Sequence, residues 1–196
     1  ILLLLFLIMP SVYSQPIIIN ELYNSGGNDE WLELLVLQDS LDLRNWDIRD
    51  FSSSGSGQQP LVFSNNSLWS NIKKGTVIII ARPENAFSED LDPSDFLLII
   101  KSSNALYFSG NVFLIAGSSE AVQIRNTSQS HIFGVSWGSA NLNSLPQPKV
   151  HLTGTSSSNT SVFFKEDSTP EIIVAANWTM NGTPTMGFGN TAINVA

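Results

Sequence analysis

The chain has 196 residues, of which 42% are hydrophobic and 13% charged, enough apolar material for a core of its own. Its 17 acidic residues outnumber 9 Lys and Arg, giving a net charge of -8, and no basic run exceeds the pair Lys73 and Lys74; a protein that grips phosphates must present a basic face, so nucleic acid is not an expected partner. Cysteine is absent, which removes disulfides, thiol chemistry and Cys-ligated metals.

Residues 1–9, "ILLLLFLIM", form an uncharged apolar run that stops at Pro10, and no charge occurs before Glu21. This reads as the apolar region of a secretory signal peptide over residues 1–14, with Val12 and Ser14 as the small residues of the cleavage site and Gln15 as the mature N-terminus. With no initiating Met and no basic start, the peptide reads as truncated upstream. A buried strand or a membrane anchor are the alternatives, but a spanning helix takes about 20 apolar residues, so no membrane span is expected. Residues 15–196 are expected to form one domain, secreted or held at the cell surface, and monomeric.

Beyond Gln15 almost every apolar segment has strand length, with β-branched or aromatic residues inside and Gly, Asn or Ser at its ends. Strands are expected at residues 16–23, 31–38, 46–51, 61–63, 76–81, 96–101, 112–115, 121–125, 131–137 and 161–165. That spacing is the spacing of an antiparallel sandwich or barrel. Period-two alternation assigns Ile19, Leu34, Val36, Leu43, Trp46, Ile78, Ile80, Ile124 and Val135 to its core. "SSSGSG" at 52–57 and "TGTSSSNTS" at 153–161 read as flexible loops. "SEDLDPSDF" at 88–96 is at most a short turn, because Pro93 lacks a backbone donor and biases Asp92 away from helix.

The first two strands carry carboxylates. On the same alternation Glu33 lies opposite the aliphatic stripe of Leu32, Leu34 and Val36, whereas Glu21 shares a face with Ile17 and Ile19 and should be at least partly buried. A buried carboxylate needs hydrogen-bond donors, most cheaply the backbone N–H groups of a nearby turn. A structural clamp is favoured over a catalytic pair, since buried polar groups are generally satisfied.

The succession "IIINELYN", "EWLELLVL", "LDLRNWDIRD", "IKKGTVIIIA", "AVQIRN…HIFGVSWG" and "NWTMNGTPTMGFGN" resembles the lamin tail domain family in its bacterial, secreted form, over about residues 16–194. The resemblance implies an immunoglobulin-like antiparallel β-sandwich. It matches Asn20, Glu21, Trp31, Glu33, Leu43, Trp46 and Asp50 to the family's framework pattern and to no active site. The sequence departs from that pattern at Asn45, where Gly often precedes the Trp, and in "TPTMGFGN", where the family closes with a compact "TPG" and an Asn. The chromatin and envelope partners of nuclear lamin tails do not carry over to an exported acidic chain.

Chemistry is harder to find. His131 and His151 have no His, Asp or Glu at metal-pair spacing, and there is no nucleophile elbow, phosphate loop or H-E-x-x-H. A Ser-His-Asp site assembled from distant segments stays open, because triads are defined by geometry. Calcium is the sharper alternative to no cofactor at all: "NSGGNDE" at 24–30 and "SEDLDPSD" at 88–95 cluster oxygen ligands, with Glu89, Asp90, Asp92 and Asp95 the first to test. Neither loop has the EF-hand spacing, and acidic loops are usually just solvated. Five N-x-[ST] triplets begin at Asn65, Asn126, Asn159, Asn177 and Asn181, of consequence only in a glycosylating host. The expectation is a non-catalytic extracellular module that binds a surface, a glycan or a protein. The alternative is an accessory domain of a secreted hydrolase whose catalytic part lies elsewhere.

Overall fold

The alternating segments do become strands in the computed structural model, which describes residues 15–111, 113–166 and 171–188. The signal-peptide reading of residues 1–14 lies outside them. Twelve strands are present among the described residues: β1 (Ile17–Asn24), β2 (Trp31–Val36), β3 (Asp47–Asp50), β4 (Leu61–Phe63), β5 (Val77–Ala81), β6 (Leu97–Lys101), β7 (Phe108–Gly110), β8 (Glu120–Arg125), β9 (His131–Trp137), β10 (Lys149–Leu152), β11 (Thr160–Phe164) and β12 (Trp178–Gly182). They form two six-stranded sheets, ordered β12-β11-β1-β2-β5-β6 and β10-β9-β8-β3-β4-β7.

The result is an all-β sandwich, but its sheets are mixed rather than purely antiparallel. β5 pairs with β6, and β9 with β10, in parallel. Both pairs are joined by long connections, residues 82–96 and 138–148. Parallel neighbours need a crossover of about a dozen residues where a hairpin needs two. Each connection holds one turn of 3-10 helix, Pro93–Asp95 and Ala140–Ser144. β7, β10 and β12 were not expected; they are short or polar segments whose strand character comes from pairing with an existing sheet and not from their own pattern.

The inner faces meet in one core that contains all nine residues assigned to it by alternation, from Ile19 on β1 to Val135 on β9. Burying an indole also buries its N–H, and three of these find carbonyls: Trp69 Nε1 donates to Tyr107 O (3.0 Å), Trp137 Nε1 to Gly117 O (3.2 Å) and Trp178 Nε1 to Ile172 O (2.7 Å). Asn45, in the turn before β3, has φ +62°. That left-handed conformation suits Gly, and Asn tolerates it better than most other residues.

Three expectations need correction. In β1 a bulge between Ile19 and Glu21 breaks the alternation: Ile19 faces Leu34 of β2, but Glu21 faces Glu33. The extra residue, Asn20, turns the rest of the strand over. Glu21 therefore lies on the outer face with Glu33, Tyr23 and Trp31, not beside Ile17 and Ile19. The segment expected as a strand at 112–115 is not one over its described residues, 113–115, although Phe113 and Ile115 are buried and Leu114 exposed. Finally, the 153–161 stretch is not a loose loop: Ser156 N donates to Gly117 O (2.8 Å), Asn24 Nδ2 to Ser156 O (3.2 Å) and Ser157 N to Asn181 Oδ1 (2.5 Å).

Candidate functional site

The outer face of the first sheet carries what the hairpin β1–β2 makes inevitable. Its register sets Glu21 across from Glu33 and Tyr23 across from Trp31, so two carboxylates adjoin two aromatic rings, which stack with centroids 5.4 Å apart and planes at 24°. The segment after β12 folds over this face. Thr185 donates both its N–H (3.1 Å) and its hydroxyl to Glu21, and Gly187 N–H donates to Glu33 Oε2 (2.7 Å) while Asn20 Nδ2 donates to Oε1 (2.5 Å). Gly187 has φ +74°, a conformation in which a side chain would be strained. The framework residues Asn20, Glu21 and Glu33 are thus joined to the closing "TPTMGFGN" stretch. Burial pushes the Glu33 carboxyl up to about 7, with Glu21 adding to the rise and the bonds from Asn20 and Gly187 opposing it. Glu21 is also raised, by burial, against the bonds from Thr185.

A second group of carboxylates holds the irregular 113–116 segment. Leu114 N donates to Asp50 Oδ2 (3.3 Å), Ile115 N to Glu30 Oε2 (2.9 Å) and Ala116 N to Glu120 Oε2 (2.8 Å). Three successive backbone donors are satisfied by side chains where a neighbouring strand would otherwise have supplied carbonyls. All three carboxyls are raised by burial, Glu120 the most strongly, with Asp50 and Glu30 contributing to its rise. Glu120 Oε1 also accepts from Ala121 N (2.8 Å). Replacing Glu120 by Gln leaves one of these two amides facing a donor. The expected loss is about 1–3 kcal/mol, together with faster hydrogen exchange at Ala116 or Ala121; unchanged exchange at both would contradict this role.

The remaining sequence candidates do not converge. Around the 88–95 loop, Asp90 accepts from Asp92 N, Asp92 from Ser94 N and Asp95 from Leu97 N, and Glu89 takes Lys101 N and Asn104 Nδ2. In the 24–30 turn, Asn24 Oδ1 and Ser25 Oγ accept from Gly26 N and Gly27 N. These groups bond donors of their own or adjoining loops, Glu30 holds Ile115 N and Asp29 faces solvent, so none turns toward a common centre. No group of three or more His, Asp or Glu side chains with the placement to hold a metal is found among the described residues. His131 is fixed between Gln123 Nε2 (2.8 Å) and Pro148 O (2.9 Å). His151 Nδ1 lies 2.9 Å from Ser136 Oγ, the start of a nucleophile–base pair, but Ser136 is fully buried and no substrate can reach it.

A cleft of about 480 Å³ opens beside the Tyr23–Trp31 stack, lined also by Asp29, Asn85, Phe87, Thr185, Met186 and Phe188. Its volume falls in the range of small-molecule sites. Phe188 is 79% exposed, the largest value among the large apolar side chains of the described residues. Of these residues the sequence singles out Trp31, as framework, and Asp29, within the 24–30 loop considered for calcium. The Tyr23–Trp31 pair was within reach, since both flank one tight turn; Phe87 and Phe188 come from distant segments and left no local signal. No protein-family model matches the chain, and no curated protein matches it.

Proposed function

We propose that this chain is a non-catalytic, exported module of the lamin tail kind, an immunoglobulin-like member of the sandwich class, and that it binds a surface, glycan or protein component through the aromatic cleft. The observation that carries this reading is how the side chains divide. The buried carboxylates with raised pKa values, the groups from which acid–base catalysis would be built, each accept a hydrogen bond from a backbone N–H and so serve the frame. Tyr23, Trp31, Phe87 and Met186 pack with Ile79 and Ala81 in an apolar cluster of their own, whereas the Phe188 ring and the Asp29 carboxylate are exposed at the cleft and serve no comparable structural partner. Exposed aromatic surface beside a cavity is the usual mark of recognition.

The test pairs an activity screen with a binding assay on the full chain. The purified protein is expected to turn over no chromogenic ester, phosphate, glycoside or peptide substrate. It is expected to co-sediment with insoluble cell-envelope material, and Phe188→Ser and Tyr23→Ala should each weaken that co-sedimentation, the first with little change in melting temperature. Turnover of any substrate class, or co-sedimentation indifferent to both substitutions, would sink the proposal.

A further inference from the structure

From the cleft we infer a ligand class: a small molecule that carries an alkylammonium group on an apolar body, its charge beside Asp29 and its carbon surface against Tyr23, Phe87, Met186 and Phe188. The inference rests on the binding-module reading and narrows it.

Asn85, whose side chain lines the cleft, donates Nδ2 to Asp29 O (2.6 Å) and accepts from Phe87 N (2.9 Å), so both ends of its amide are engaged. Thr185 gives its N–H and its hydroxyl to Glu21. The Tyr23 hydroxyl points to Asn159 Oδ1 at 3.4 Å. A sugar recognised here would need several side-chain donors for its ring and hydroxyl oxygens, and among the described lining residues only the Trp31 indole N–H is left without an acceptor.

Asp29 is different. It is exposed, and among the described residues its carboxylate has neither an ion-pair partner nor a hydrogen-bond donor. Lys101 Nζ binds the carbonyls of Pro83 and Asn85, and Arg82 reaches Phe113 O and Asn28 Oδ1 and pairs with Glu84 at 3.6 Å. The cleft therefore offers one free acceptor of full negative charge, aromatic faces and a thioether, on a protein whose net charge is -8. Aromatic rings attract a cation through their quadrupole, and alkylation of an ammonium sheds the hydrogen bonds that this lining could not supply. Charge, hydrogen-bond supply and apolar lining all fit an alkylammonium better than a neutral polyol or an anion.

The probes are benzyltrimethylammonium and choline, with 3,3-dimethylbutan-1-ol as the neutral isostere of choline and glucose and cellobiose as the sugar arm. Each is titrated into the full chain while indole and aromatic-ring NMR signals are followed. Benzyltrimethylammonium is expected to shift the Trp31 indole signal saturably, more tightly than choline, with affinity falling as salt is added. Asp29→Asn, which removes no hydrogen bond of the fold, should weaken binding at least tenfold, and the neutral isostere should bind at least tenfold more weakly than choline. Equal binding of the isostere, or an affinity unaltered in Asp29→Asn, overturns the cation inference. Saturable shifts with the sugars alone overturn it too, while leaving a binding module. If none of the probes shifts the cleft and co-sedimentation also ignores Phe188→Ser, the binding-module reading fails with it.

Discussion

The melting temperature of this protein is expected to fall as pH rises from about 5 to 8, the reverse of what is usual for a domain held by ionised carboxylates. Glu33 carries the effect. Its carboxyl is raised from an ordinary 4.5 to about 7 because it is buried, so the fold prefers it protonated. A group whose folded pKa lies above its unfolded value contributes stability that is complete below the unfolded pKa and lost as pH rises through the folded one. At about 1.4 kcal/mol per pKa unit the contribution of Glu33 is about 3 kcal/mol. For a chain of this size that corresponds to roughly 6 to 12 °C. Glu21, Glu30, Asp50 and Glu120 are raised as well and act in the same direction. His131 and His151 are lowered from 6.5 by burial and act in the opposite one: what they contribute is present above 6.5 and lost as pH falls through their folded values. Glu33, whose folded value near 7 lies inside this range, sets the sign and leaves the optimum on the mildly acidic side.

Thermal melts at constant ionic strength across this range check the sign. Glu33→Gln isolates the residue. A glutamine resembles the protonated acid, and the Asn20 amide can turn its oxygen toward the new donor. The variant should therefore match the wild type near pH 5, gain on it as pH rises, and show a flatter curve. A wild-type melting temperature that climbs steadily from pH 5 to 8, or a variant curve parallel to it, would show that Glu33 is ionised in the fold and held by its two donors alone.

Much of the sandwich was legible because burial follows the two-residue period. Leu32, Leu34 and Val36 face one way in a strand whatever its neighbours are, so the core could be assigned without knowing the sheet order. The errors arise where a non-local partner decides. Nothing in "IIINELYN" announces that Asn20 is bulged; its amide is committed to Glu33, thirteen residues on. "VFLIA" alternates like a strand, yet its described residues meet the carboxylates of Asp50, Glu30 and Glu120 where a strand would meet carbonyls. The same limit applies to the site. That Glu21 would need hydrogen-bond donors followed from the cost of burying charge, whereas Glu33 was assigned to the face opposite the aliphatic stripe and its burial is new. That residues 185 and 187 supply them follows only from the path of a distant segment, and the cleft exists because that segment passes there.

The largest loss from a single substitution is expected at Arg125. Cross-strand pairing of β3 with β8 sets Asp47 directly opposite Arg125, and the two form a bidentate pair with Nε–Oδ1 at 2.8 Å and NH2–Oδ2 at 2.9 Å. Both side chains are largely shielded, at 12% and 8% exposure, so solvent screens the pair weakly. Forming such a pair yields little net stability, because the desolvation of two charges offsets their attraction; removing one partner is costly, because the other charge stays where water cannot reach it. Arg125→Met should lower the free energy of unfolding by about 3–5 kcal/mol, read from urea titration with an unchanged slope. Arg125→Lys should recover only part of this, since an ammonium cannot reproduce the two parallel bonds. The double replacement Asp47→Leu with Arg125→Met removes both charges and should restore most of the loss. If the double variant is as unstable as Arg125→Met alone, the damage lies in lost packing of the arginine stem and not in an orphaned carboxylate, and the electrostatic account of this pair is wrong.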